Sequence, residues 1–247
     1  FVRLSCSIGL SAFAWLRRRL SRLELVEQCD YGRTDTSVAL VRLFCQGLVR
    51  ESGPGRYRFR DGMVQRGIEA WLAPQLRVHL HDAVYRWLDS CPLTTSDELA
   101  RLARHAIVAG HRRAGAQAWF DAATRDAAIH EYTRAERRFS AAVAQLNEPD
   151  ELRMRALTAR ARMRARLVRW GEALDDVRSA RQLARALGDR AAEVDALLSE
   201  AEILDWSYHW AEATTAVQHA VVLAEGLDNR RLTAGCLLAR GRCAFRQ

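Results

Sequence analysis

The 247-residue chain contains no lysine, so all 38 of its basic side chains are arginine. A Walker-A phosphate loop, a Schiff-base enzyme and a protein kinase each need an amine at a fixed position, so none of these can reside in these residues. Long apolar runs are missing too. The longest window, residues 8–16, is well short of the roughly 20 residues a membrane helix needs, and it runs into Arg17, Arg18 and Arg19. The six cysteines include no Cys-x-x-Cys pair and no secretory leader pattern precedes them, so disulfides are not expected. Histidines are scattered. The nearest pair, His79 and His81, would point to different sides of a helix, so neither a zinc site nor any other cofactor is expected.

The chain is 49% apolar and 28% charged, the balance of a soluble folded protein with room for about two domains. The net charge of +8 divides into +5 before residue 96 and +3 after it, with no dense basic tract in either part. A mixed, solvated surface is therefore expected, with a nucleic-acid partner disfavoured and no membrane partner. Abundant arginine and alanine suggest a high-GC bacterial coding sequence, and the expected location is cytoplasmic. The chain opens on Phe1 rather than Met and stops within a helical pattern, so a piece of a longer protein is expected.

Residues 1–95 read as one small unit and a connecting helix. Phe13, Leu16, Leu20 and Leu23 recur at helical spacing and predict a helix over 11–26. Thr34 to Ser37 supply helix-start chemistry for a second helix carrying Val38, Leu40, Val41, Phe44 and Leu48, which ends near Gly47. Gly53-Pro54-Gly55 followed by the alternation of Tyr57 and Phe59 with arginine predicts a β-hairpin. Helices followed by one short hairpin give a winged-helix outline. If this unit read DNA, Arg42 on the second helix and Arg56 and Arg58 on the wing would carry the contacts.

The run Phe59-Arg60-Asp61-Gly62-Met63-Val64, then Leu72-Ala73-Pro74 and Leu80-His81-Asp82-Ala83-Val84, resembles the segment that joins winged helix to helical repeats in STAND signalling ATPases of the maltose-operon-activator type. The resemblance covers about residues 35–90 and implies a regulatory chain with an ATPase core elsewhere. Asp61 stands where the family has a histidine facing the nucleotide, and an anion there repels phosphate.

Beyond Pro92 a repeat emerges. Ala135-Phe139-Ala142, Ala173-Val177-Ala180 and Ala213-Val217-Ala220 follow one another at intervals of 38 and 40 residues, and Tyr132, Trp170 and Trp210 each stand three residues ahead. Ala116-Phe120-Ala123 is a partial copy. Alanine lets antiparallel helices approach while the larger side chain fills the groove between them. The leading helices pair Trp119 with Ala123, Leu157 with Ala161, Leu197 with Ala201 and Leu237 with Gly241. Residues 96–247 thus resemble a tetratricopeptide-type α-solenoid whose last repeat is truncated, and the whole chain is mainly all-α. Pro149-Asp150, Gly188-Asp189 and 226–229 read as boundaries between hairpins.

Two arrangements look catalytic and are read otherwise. Asp205, Ser207 and His209 fall in an inter-helix turn without an oxyanion hole, and Glu172, Asp175, Asp176, Glu200 and Glu202 alternate with arginine as on a salt-bridged face. No catalytic residue is expected. Arg155, Arg162, Arg166 and Arg169 share a near-helical stripe suited to an acidic peptide or a phosphate. The expected function is a non-catalytic regulatory module, in which the repeats bind a peptide, protein or inducer and relay that state to an ATPase or effector domain of the same chain. Two alternatives stand beside it, a DNA-binding regulator acting through the winged helix and a fragment of a kinase or cyclase whose catalytic domain lies elsewhere.

Overall fold

The structure, a computed structural model, describes residues 20–21, 43, 46–51, 56–147 and 149–246. The chain divides into two compact units, residues 1–92 with 108–110, and residues 93–107 with 111–247.

Among the described residues of the first unit, three strands, β1 (Leu20–Ser21), β2 (Val49–Glu51) and β3 (Arg56–Phe59), form an antiparallel sheet in the order β1-β3-β2. The β2–β3 hairpin predicted around Gly53-Pro54-Gly55 pairs Val49 with Phe59 and Glu51 with Tyr57. The helix expected over 11–26 needs correction at Leu20 and Ser21, which pair instead with Tyr57 and Arg56 of β3. A helical spacing of leucines cannot outweigh ladder hydrogen bonds offered by a neighbouring strand. Leu43 is helical and buried, and Gly47 takes φ +70° where the second predicted helix ends. Arg42 lies outside the described residues.

Two helices follow, α1 (Gly62–Trp71) and α2 (Pro74–Ser90). The Asp61 carboxylate accepts the Met63 N–H at 2.7 Å. The residue that breaks the family pattern thus has a local task, satisfying a free donor at the start of α1. Pro74 opens α2 at the position where its missing N–H costs nothing, and Val84 and Leu88 are buried one turn apart. Burial, helped by the Arg77 charge, holds His81 neutral and draws its pKa down to about 3.

Among the described residues the second unit is a run of eight helices: α3 (Ser96–Val108), α4 (Arg112–Ala128), α5 (Tyr132–Val143), α6 (Glu151–Arg166), α7 (Trp170–Leu187), α8 (Arg190–Trp206), α9 (Trp210–Ala224) and α10 (Arg230–Arg246). Its first helix begins with a capping box, in which Glu98 N–H donates to the Thr95 hydroxyl at 3.2 Å and Thr95 N–H donates to the Glu98 carboxylate at 2.9 Å. Gly115 is required by close approach, since a Cβ there would meet Ile107 Cγ1 at 2.5 Å.

Consecutive helices pack as antiparallel pairs, and α4, α6, α8 and α10 also touch in succession, forming one layer of a helical solenoid. The repeated Ala-x3-large-x2-Ala positions are the ones buried. Ala135, Ala142, Ala173, Ala180 and Ala220 are fully covered, while Phe139, Val177 and Val217 fill the seams. Phe120 meets Phe139 edge-on at 5.5 Å between centroids. Each boundary has its cap. Asp150 accepts the Leu152 N–H at 2.7 Å, Gly188 turns with φ +70°, and Asp189 accepts the Ala192 N–H at 2.9 Å. In α10, Leu232, Cys236 and Ala239 are buried, whereas Leu237, matched with Gly241 in the sequence pattern, is exposed.

Candidate binding groove on the helical repeats

Arginine recurs along α6, and the fold sorts it by face. Arg160 holds Asp176 of α7 through two bonds of 2.6 and 2.8 Å, and Arg164 reaches Asp176 at 2.9 Å and Glu136 of α5 at 3.1 Å. Both carboxylates are buried. Other helix seams repeat the device. Glu200 of α8 takes Arg178 and Arg181 of α7, each at 2.9 Å. Asp126 of α4, fully buried, lies 2.8 Å from Arg138 and 2.9 Å from Arg134 of α5. Neither guanidinium aims an N–H squarely at Asp126, so these are charge contacts rather than aligned hydrogen bonds. A carboxylate buried without such a partner would be too costly to keep ionised.

Four of the five acids read from the sequence as a salt-bridged face, all but Asp175, take part in such pairing. Glu172 and Asp176 serve α6, Glu200 serves α7, and Glu202 stands 4.0 Å from Arg242.

Arg162 and Arg166 sit on the remaining face of α6, one turn apart, both exposed and without a partner among the described residues. They line a cavity of about 460 Å³ between α4, α6 and α8, within the range of ligand-binding clefts. Met163, Ala165 and Ile203 supply apolar lining, with His130, Val168 and Trp206 beside them.

The other two members of the predicted stripe do not line it. Arg155 stands over the Phe120 ring at 5.0 Å, with Glu151 at 3.9 Å. Arg169 lies beyond the last residue of α6 and is bound to Glu172 at 2.5 and 2.6 Å, which lowers the Glu172 pKa and raises its own. The stripe breaks there because the helix does. Arg56 and Arg58 lie in β3 of the first unit.

Sequence reasoning missed the turn residues. His130, Val168 and Tyr208, closing α4, α6 and α8, have φ of 63°, 62° and 65°. Each turn makes the same two bonds: Glu131 N–H to Asp126 at 3.0 Å with His130 N–H to Ala127 at 3.1 Å, and their counterparts at Val168–Arg169 and Tyr208–His209. This is the Schellman closure that normally takes glycine, as at Gly188 in the same unit. The left-handed region disfavours any side chain and a β-branched one most. His130 leans edge-on against Tyr132 with their polar atoms 2.7 Å apart, and Tyr208 repeats the ring arrangement with Trp210 at 6.0 Å. In the same turn the Ser207 hydroxyl lies 3.1 Å from the Leu204 carbonyl, to which it donates, and 3.1 Å from His209 Nδ1.

No family model matches the chain, and no curated protein matches it. Among solved structures, the chain is similar to a signal transduction ATPase with numerous domains from Pyrococcus horikoshii, which carries a tetratricopeptide repeat sensor. The identity is 12%, covering 98% of this chain and 41% of that one, with a TM-score of 0.47. It is also similar to a Rap protein complexed with competence and sporulation factor, at 13% identity over 70% of this chain and 50% of that one, with a TM-score of 0.45. A third is a Podosopora anserina putative kinesin light chain with tetratricopeptide-like repeats, at 13% identity over 66% of this chain and 92% of that one, with a TM-score of 0.39. The chain spans about half or less of the first two proteins. The first and third of these neighbours are described as having tetratricopeptide or tetratricopeptide-like repeats. Among the described residues no helix is long and apolar enough to cross a membrane.

Proposed function

We propose that this chain is a regulatory interaction module in which the α4–α6–α8 groove binds a peptide segment of a partner. The observation that carries this reading is the division of arginines on α6. Arg160 and Arg164 are taken up by buried acids, while Arg162 and Arg166 are left free beside an apolar lining. Free guanidinium groups next to hydrophobic surface suit a carboxylate with an apolar neighbour. The Rap protein named above is complexed with a factor, which supports a ligand-binding role for an array of this kind.

The finer reading extends the resemblance drawn from residues 35–90. The first unit would be a winged helix in a cytoplasmic, bacterial STAND-type regulator, coupling the occupied or empty state of the repeats to an ATPase or effector domain elsewhere in the protein. Repeat arrays suit that relay because neighbouring helices shift together.

The test is selection of random peptides against the immobilised full chain. Peptides retained by the native chain should bind R162E/R166E at least about thirtyfold more weakly, the loss expected when a charge contact is reversed. Peptides held equally by both proteins would remove this groove as the binding site.

A further inference from the structure

Three hairpins close on a side chain where glycine would be less strained, and two of those side chains line the groove. His130 and Val168 border the same cavity as Arg162 and Arg166, whereas Tyr208 does not line it. Left-handed backbone at a non-glycine residue persists only where its surroundings over-determine it, and the chain has glycine available for this task, as Gly188 demonstrates one helix further on. Helix closure therefore does not account for the side chains. Both stand at the C-terminal ends of layer helices, His130 with its ring set against Tyr132 and Val168 largely exposed beside Trp170. Exposed valine in a strained turn contributes nothing to the core.

We propose that His130 and Val168 are recognition residues of the groove. They grip the apolar side chain of an acidic peptide segment whose carboxylate sits on Arg162 and Arg166. The occupant is set by the charge and apolar lining of the groove. Two unpaired guanidinium groups one turn apart select an anion, and Met163, Ala165 and Ile203 with the two turn side chains select an aliphatic or aromatic neighbour to it. Glu202 on the α8 side of the same cavity disfavours a second acid there, so the pattern is one acidic residue beside an apolar one. This inference rests on the groove being the binding site.

The experiment uses a fluorescently labelled peptide from the selection above and three single variants of the full chain, His130→Gly, Val168→Gly and Tyr208→Gly. All three relieve the same backbone strain, so each should melt no lower than the native chain, with a rise of up to about 2–4 °C. His130→Gly and Val168→Gly should each weaken the labelled peptide by about fivefold or more, and Tyr208→Gly should leave it unchanged. Unchanged binding by both groove variants would overturn the proposal while leaving the groove reading intact, provided R162E/R166E still loses the peptide. Equal weakening by all three would also overturn it, since Tyr208 lies outside the cavity. If a glycine variant melts lower, asparagine at the same position, which tolerates the left-handed region, decides by the same binding readout. Selected peptides that are neutral or basic would overturn the assigned occupant.

Discussion

On α6, Arg160 and Arg164 turn toward α5 and α7 and end on buried carboxylates, whereas Arg162 and Arg166 turn away from both helices and end in solvent at the groove. The side chains are identical and the helix is the same, so what differs is the company each face keeps. A guanidinium that reaches a buried acid becomes part of the fold, because removing either partner leaves a charge where water cannot reach it. One that reaches only solvent adds little to stability and remains open to a ligand. On the proposed function, stability and recognition fall on opposite faces of one helix, and that assignment can be tested from either side.

The largest expected effect lies on the committed face. Asp176→Asn removes the charge that binds Arg160 twice and Arg164 once. Arg164 keeps Glu136, but Arg160 keeps only the Ser140 hydroxyl at 3.3 Å. The loss should fall near the lower end of the range for a broken buried pair, about 3 kcal/mol. Urea unfolding measures it, and faster hydrogen exchange in α6 and α7 should accompany it, because a repeat array loses structure locally. A loss below about 0.5 kcal/mol, the level of an ordinary surface change, would mean that the pairing is not what joins these helices.

This division was only partly legible in the sequence. The repeat period, the buried Ala135, Phe139 and Ala142 and the capping Asp150 follow from spacing, because helical contacts recur with the pitch and caps act within three residues. The correct partner for each arginine did not follow. Arg160 and Asp176 are sixteen residues apart and meet only once α6 and α7 have turned back on each other. Spacing placed Arg155, Arg162, Arg166 and Arg169 on one stripe. Helix spacing could identify two of the groove's arginines but could not register that α6 ends at Arg166 or that Phe120 draws Arg155 aside. Leu20 failed for a related reason, since the strand that captures it lies some 36 residues away. His130 and Val168 gave no signal at all, because a left-handed turn is predicted from glycine and neither position has it.

The free face should give a much smaller stability effect. R162Q/R166Q removes two charges with no partner among the described residues, so unfolding should move by no more than about 0.5 kcal/mol in either direction, while the selected peptide is lost. The contrast with Asp176→Asn is the point of the pair of measurements. If the double variant unfolds as easily as Asp176→Asn, the two faces of α6 do not differ in the way the geometry describes.

Arg169 lies between these extremes, bound like the first pair yet exposed like the second, and its variant should change a titration more than a melting curve. The Arg169 guanidinium, hydrogen-bonded to Glu172, holds that carboxyl below its ordinary value of 4.5. A carboxyl depressed by folding adds stability that is present above its unfolded pKa and lost as pH falls through the folded one. Arg169→Ala should therefore shift the Glu172 titration upward and flatten the acid limb of stability over that window. The shift should stop short of the ordinary value, because Arg164 remains 3.5 Å away. Carbon-detected NMR of the Glu172 carboxyl reads this directly. A titration that does not move would show that the exposed pair is not held in solution, and it would confine the arginines that act on α6's neighbours to Arg160 and Arg164.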